Sequence, residues 1–284
     1  MKNLRGIIVL IVLLLFTVCA GALYADSEMH WSYSGEYGPQ NWHKLPGSQA
    51  NGKKQSPINI PSDAPINENG IKFFYMDSLL NIENNGHTIK VSYERGSYIL
   101  VEGKKYNLLQ FHFHAPSEHT FSGEHFPMET HFVHQSDDGE YAVIGLFLKK
   151  GEYNSAYASI WEHFPEEGEK KETDTVINAK TLLPERKSYY RYDGSFTTPP
   201  CTEGVKWFVL KDSVELSDDQ ISQFEKFYKS NNRPIQPFNR RGFYLGGEEQ
   251  KKDSFLPVFV IIGIVIIAIG IMFFFMQGKK SEKR

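Results

Sequence analysis

VSYERGSYILVEGKKYNLLQFHFH, residues 91–114, decides the fold. Apolar and polar residues alternate along it, and ERGS and EGKK break it into three short runs. That is the period of strands joined by tight turns. At its end the alternation becomes Phe111-His112-Phe113-His114. Residues two apart on a strand share a face, so His112 and His114 project together while both rings project into a core.

The same signature extends on both sides. METHFVHQ (128–135) and YAVIGLFLKK (141–150) are two more strands across the turn SDDGE, and VKWFVLK (205–211) is another. Helical patterns are few. SAYASIWEHF (155–164) is one, and LSDDQISQFEKFYKS (216–230) is another. In the second, Ser217 is placed to cap, Asp218 and Asp219 suit the first turn, and Ile221, Phe224, Phe227 and Tyr228 form one apolar stripe. No internal repeat interrupts this pattern, so one sheet-dominated domain is expected.

Both ends differ in composition. Residues 1–25 begin MKNLR, continue through an apolar run and reach small residues at Ala20, Ala22 and Ala25. This is the pattern of a secretory signal cut after Ala22 or Ala25, with an uncleaved anchor as the alternative. Phe255 to Met276 carries no charge and precedes Lys279, Lys280, Lys283 and Arg284. Its length suits a hydrocarbon core of ~30 Å, and the basic flank would be cytoplasmic. The expected organisation is a signal (1–25), an extracytoplasmic domain (26–246), a linker (247–254), a transmembrane helix (255–276) and a cytoplasmic tail (277–284). The expected localisation is single-pass at the cell membrane, attached through that C-terminal helix.

Setting aside six cations and one carboxylate at the two ends leaves 25 of 31 Lys+Arg against 33 of 34 Asp+Glu, a net charge of −8. Nucleic acid is excluded as a partner, because phosphate contacts need clustered cations. With Cys19 inside the signal, Cys201 has no internal disulfide partner; it is buried and inert, or free for an intermolecular link.

His112 and His114 make half of a metal site. On METHFVHQ, Glu129, His131 and Val133 share one face, and the short link from His114 allows the two strands to be neighbours. Three imidazoles and a water form the catalytic type of zinc site. Each ligand's second nitrogen needs an acceptor, for which Gln110, Glu129 and nearby carbonyls are available. The alternative is a half-exposed strand whose histidines face solvent; spacing alone leaves both open.

HWSY (30–33), QSPINI (55–60), NNGH (84–87), QFHFHAPSEHT (110–120), METHFVH (128–134), YAVIGLFLK (141–149), SFTTPPCTEGVKW (195–207) and NNRPIQPF (231–238) together resemble the blocks of the alpha-class carbonic anhydrases, in that family's order. The resemblance implies a mostly β (α+β) fold: a single domain around a large, mainly antiparallel twisted sheet with a few peripheral helices. It implies Zn2+ as cofactor, carbon dioxide and bicarbonate as substrate and product, and reversible hydration as the reaction. His112, His114 and His131 resemble the zinc ligands. Gln110 and Glu129 stand behind them, and Glu129 orients the third. Thr197 and Glu118 match the pair that holds zinc-bound hydroxide, and His119 matches a buried hydrogen-bonding group. His87 matches the proton shuttle. Val133, Val143, Phe196 and Trp207 match the lining of the carbon dioxide pocket, and Thr198 adjoins it.

Three departures from the family's pattern stand out. Phe196 occupies a position where leucine is commoner, which implies a slower enzyme. No cysteine stands shortly before QSPINI, in SQANGKKQSPINI, so Cys201 lacks the partner it has in many exported members. The membrane anchor is not a general family feature. Two other functions fit the same sequence: a non-catalytic surface binding module, which would be expected to have lost a zinc histidine, and a hydrolase of small esters, for which no binding motif is visible.

Overall fold

The computed structural model describes residues 30–65 and 70–247. These belong to the first of two units into which the chain divides, Met1–Gly247 and Glu248–Arg284. Among the described residues fifteen strands are formed: β1 (Asn59–Ile60), β2 (Lys72–Phe74), β3 (Ser78–Asn84), β4 (Ile89–Ser92), β5 (Tyr98–Val101), β6 (Lys104–His114), β7 (Thr120–Phe121), β8 (Glu124–His125), β9 (Met128–Gln135), β10 (Tyr141–Lys150), β11 (Lys170–Ile177), β12 (Tyr189–Ser195), β13 (Glu203–Leu210), β14 (Val214–Leu216) and β15 (Phe243–Gly246). Twelve of them make one sheet whose main path runs β11-β3-β4-β6-β9-β10-β13-β12-β15. Its pairings are antiparallel except where β10 meets β13 and β14. The mostly β, mainly antiparallel architecture expected from the sequence is therefore present.

Each predicted strand lies where its alternation placed it. EGKK is a hairpin: Glu102 and Gly103 have φ of 51° and 82°, the left-handed pair that a two-residue turn between twisted strands requires. The helices are shorter than the patterns suggested, α1 covering Ser155–Trp161 and α2 Asp218–Glu225. Ser217 caps α2 through the backbone N–H of Gln220, whose side chain returns the bond to Ser217 and completes a capping box. Phe227 and Tyr228 fall beyond the helix.

The sheet is covered on both faces. Phe111, Phe113 and Phe132 join Leu80, Ile82 and Val91 in the larger core, beneath Tyr157, Trp161 and Phe224 of the helices. Val133, Val143, Phe147, Val205, Trp207 and Val209 form a second core on the other face. Strand β9 is buried along nearly its whole length. His131 therefore cannot belong to a half-exposed strand.

The expectation of a single-pass membrane protein is corrected. No helix among the described residues is long and apolar enough to cross a membrane. The segments on which that expectation rested, 1–25, 255–276 and 277–284, lie outside the described residues.

Candidate metal centre

Strands β6 and β9 lie side by side, with His112 opposite His131 and His114 opposite Glu129. The register brings the three histidines together: one nitrogen from each lies within 4.8 Å of the others. The remaining nitrogens are engaged. His112 Nδ1 lies 2.9 Å from Gln110 Oε1, and His114 Nδ1–H donates to the backbone carbonyl of Asn231 at 2.6 Å. His131 Nε2 lies 2.9 Å from Glu129 Oε1, a charge contact whose alignment falls short of a good hydrogen bond. These contacts leave Nε2 of His112, Nε2 of His114 and Nδ1 of His131 for a common ligand.

The donor set fits zinc. All three free atoms are imidazole nitrogens, which is the ligand set of an open, catalytic zinc site. Nε2 of His114 and Oε2 of Glu118 are buried with no hydrogen-bond partner, 3.6 Å apart. Such orphans are costly unless something else occupies the space between them. Burial, then the neighbouring imidazoles, holds His112 well below the ordinary histidine range; burial also lowers His114. Neutral imidazole is the form a metal binds. On His131 burial acts in the same direction, but Glu129 outweighs it and raises the ring.

His119, Glu129 and His131 form a second close cluster. Its His119 and Glu129 atoms are already engaged. His119 Nδ1 meets Glu129 Oε1 at 2.7 Å and its Nε2 meets the Tyr192 hydroxyl at 2.6 Å. Glu129 Oε2 accepts the backbone N–H groups of Glu118 and His119 at 2.9 and 2.8 Å. His119 is thus a buried hydrogen-bonding residue, and Glu129 is held rigidly behind His131.

Glu118 is fully buried, and its Oε1 accepts the backbone N–H of Arg233 at 2.8 Å. Thr197 is nearly buried on the loop after β12, but no hydrogen bond joins it to Glu118, whose Oε2 stays unpaired. Val133 pairs with Val143, and Val143 with Trp207, across β9, β10 and β13. Phe196 packs at the edge of this apolar wall, edge-on to Tyr141 at 4.8 Å between ring centres. Thr198, half-buried, accepts the N–H of Cys201 through its carbonyl at 2.9 Å. His87 is stacked on Trp31 at 3.7 Å. Burial and then His30 lower its pKa.

Reasoning from spacing missed Asn231 and Arg233. Asn231 carries His114 through its carbonyl, while its side chain bonds the backbone of Ala115, His87 and Phe113. Arg233 is almost wholly buried, with its guanidinium on Gln55 Oε1 and the Ser56 carbonyl. Their one signal in the sequence is the block NNRPIQPF.

The family profile of eukaryotic-type carbonic anhydrase matches residues 37–245. Carbonic anhydrase from Neisseria gonorrhoeae is 42% identical over 235 residues, covering 81% of this chain and 93% of that protein. Carbonic anhydrase from Pectobacterium carotovorum is 41% identical over 233 residues, covering 80% and 95%. The alpha-carbonic anhydrase of Thermovibrio ammonificans, solved with sulfanilamide, superposes with a TM-score of 0.75 at 45% identity, covering 77% of this chain and all of that one. With the fold, the histidine cluster and these relatives in agreement, the chain belongs to the alpha-class carbonic anhydrases, enzymes that hydrate carbon dioxide.

Proposed function

We propose that this chain hydrates carbon dioxide reversibly to bicarbonate and a proton with zinc held by His112, His114 and His131. The observation that carries this reading is the convergence of three imidazole nitrogens whose ring partners are each anchored from behind. Zinc would supply Lewis acidity that makes water a nucleophile near neutral pH, a chemistry of which carbonic anhydrase is the type example. Gln110, Glu129 and the Asn231 carbonyl keep the rings aimed and fix their tautomers.

The other roles belong to the chain itself. Val133, Val143, Trp207 and Phe196 offer an apolar wall that suits an uncharged, linear substrate and keeps bulk water from it. Glu118 presents an unpaired buried oxygen toward the imidazoles, and Thr197, followed by Thr198, supplies hydroxyls to orient the attacking water and the product. His87 carries the released proton outward on its imidazole, the side chain whose ordinary pKa lies closest to neutrality; burial and then His30 lower it here. All three histidines are present, so nothing favours a non-catalytic binding module on this fold. The test is stopped-flow hydration by the full chain as purified, after chelation and after zinc is restored. Hydration should vanish and return; a zinc-loaded protein no faster than buffer would refute the assignment.

A further inference from the structure

We infer that Gly145 is a positioning residue for the metal centre: the hydrogen in place of a side chain there leaves the space that the Glu129 carboxylate needs to hold His131. The inference rests on the metal centre proposed above. Gly145 sits in the middle of β10, paired with His131 on β9 and Val209 on β13. Glycine weakens the interior of a strand, and its usual justification is a positive φ or a close approach. Gly145 does not have a positive φ. It does have the close approach. A Cβ at this position would lie 2.9 Å from Glu129 Oε1, 3.4 Å from Val209 Cγ2 and 3.6 Å from Trp207 Cζ3. The last two are ordinary packing distances. The first is not, and it involves the oxygen that faces His131.

A carboxylate at the end of a free side chain would swing aside at little cost. This one cannot. Its Oε2 accepts two backbone N–H groups, and its Oε1 lies against His119 Nδ1 at 2.7 Å and His131 Nε2 at 2.9 Å. Any retreat of Oε1 from a methyl group must therefore be passed to His131 or to His119. Loss of a partner behind a metal-bound imidazole typically weakens metal affinity by about 10- to 100-fold.

The experiment measures zinc affinity by competition with a chelator for four full-length proteins: wild type, Gly145→Ala, Glu129→Ala, and the double variant. Gly145→Ala should weaken zinc binding by about 10-fold or more. In the Glu129→Ala background, the same methyl should cost less than about two-fold, because the group it displaces is gone. Wild-type affinity in Gly145→Ala, or an equal loss in both backgrounds, would overturn the inference. If Gly145→Ala alone fails to fold, the double variant decides: recovery of the fold supports the clash with Glu129, and continued failure assigns it to Val209 or Trp207 and overturns the inference. A wild type that holds no zinc would sink the metal centre itself, an outcome distinct from both.

Discussion

Acid should loosen the strand that carries His131 and Glu129, through His134 on its opposite face. His134 is wholly buried; its Nδ1–H donates to the Ala142 carbonyl at 3.3 Å, and its Nε2 lies 2.7 Å from the Tyr75 hydroxyl. Burial lowers its pKa to about 3, although two backbone carbonyls act in the other direction. In the unfolded chain the same ring should titrate near 6.5. Between these values the unfolded state holds a proton that the folded state lacks, so stability falls as pH falls. The slope is about 1.4 kcal/mol per pH unit, and the whole interval corresponds to at most roughly 5 kcal/mol. The perturbation is His134→Leu, which removes the titration but leaves the Ala142 carbonyl and the Tyr75 hydroxyl without this partner, at a pH-independent cost of about 1–3 kcal/mol each. Urea unfolding of wild type and variant, both metal-free, gives a difference in stability from which the other titrating groups cancel. From pH 6.5 to pH 5 that difference should shrink by about 2 kcal/mol. A difference flat across this range would refute the reasoning, because His134 would then be charged in the fold or titrate alike in both states.

Phe196→Leu should raise kcat/KM for hydration by roughly ten-fold, the scale of a small change in apolar bulk within a pocket; unchanged turnover would mean that Tyr141 already holds the ring clear of the substrate. His87→Ala should slow turnover by about 10²-fold in weak buffer and be restored in part by added imidazole, while the rate of isotope exchange between carbon dioxide and bicarbonate stays near wild type. Cys201 is fully buried with its thiol pushed up to about 11 by that burial, so it should resist alkylation at pH 8 until urea unfolds the chain. Labelling at the rate of a free thiol in the native protein would show that the loop carrying Thr197 and Thr198 opens.

Much of the site was legible because it depends on local period. The alternation at 111–114 places rings on one face and imidazoles on the other, and both rings are fully buried in the larger core. METHFVHQ puts Glu129 and His131 on one face by the same rule, and Ser217 with Gln220 builds the cap that opens α2. Resemblance to a family added what spacing could not, including the roles proposed for Thr197, Glu118 and His87. It paired Thr197 with Glu118, and no hydrogen bond joins the two in this structure.

The sequence by itself determined six of the strands, β4, β5, β6, β9, β10 and β13, which residues of each share a face, and the type of metal that three imidazoles could hold. These follow from a period of two residues and from ligand chemistry, and neither depends on what lies far along the chain. The tertiary structure decided which imidazole nitrogens remain free. That choice is made by an Asn231 carbonyl 117 residues beyond His114, by the register of β6 against β9, and by the room over Gly145. Distant hydrogen bonds and close approaches exist only after the sheet has closed, so no local pattern encodes them.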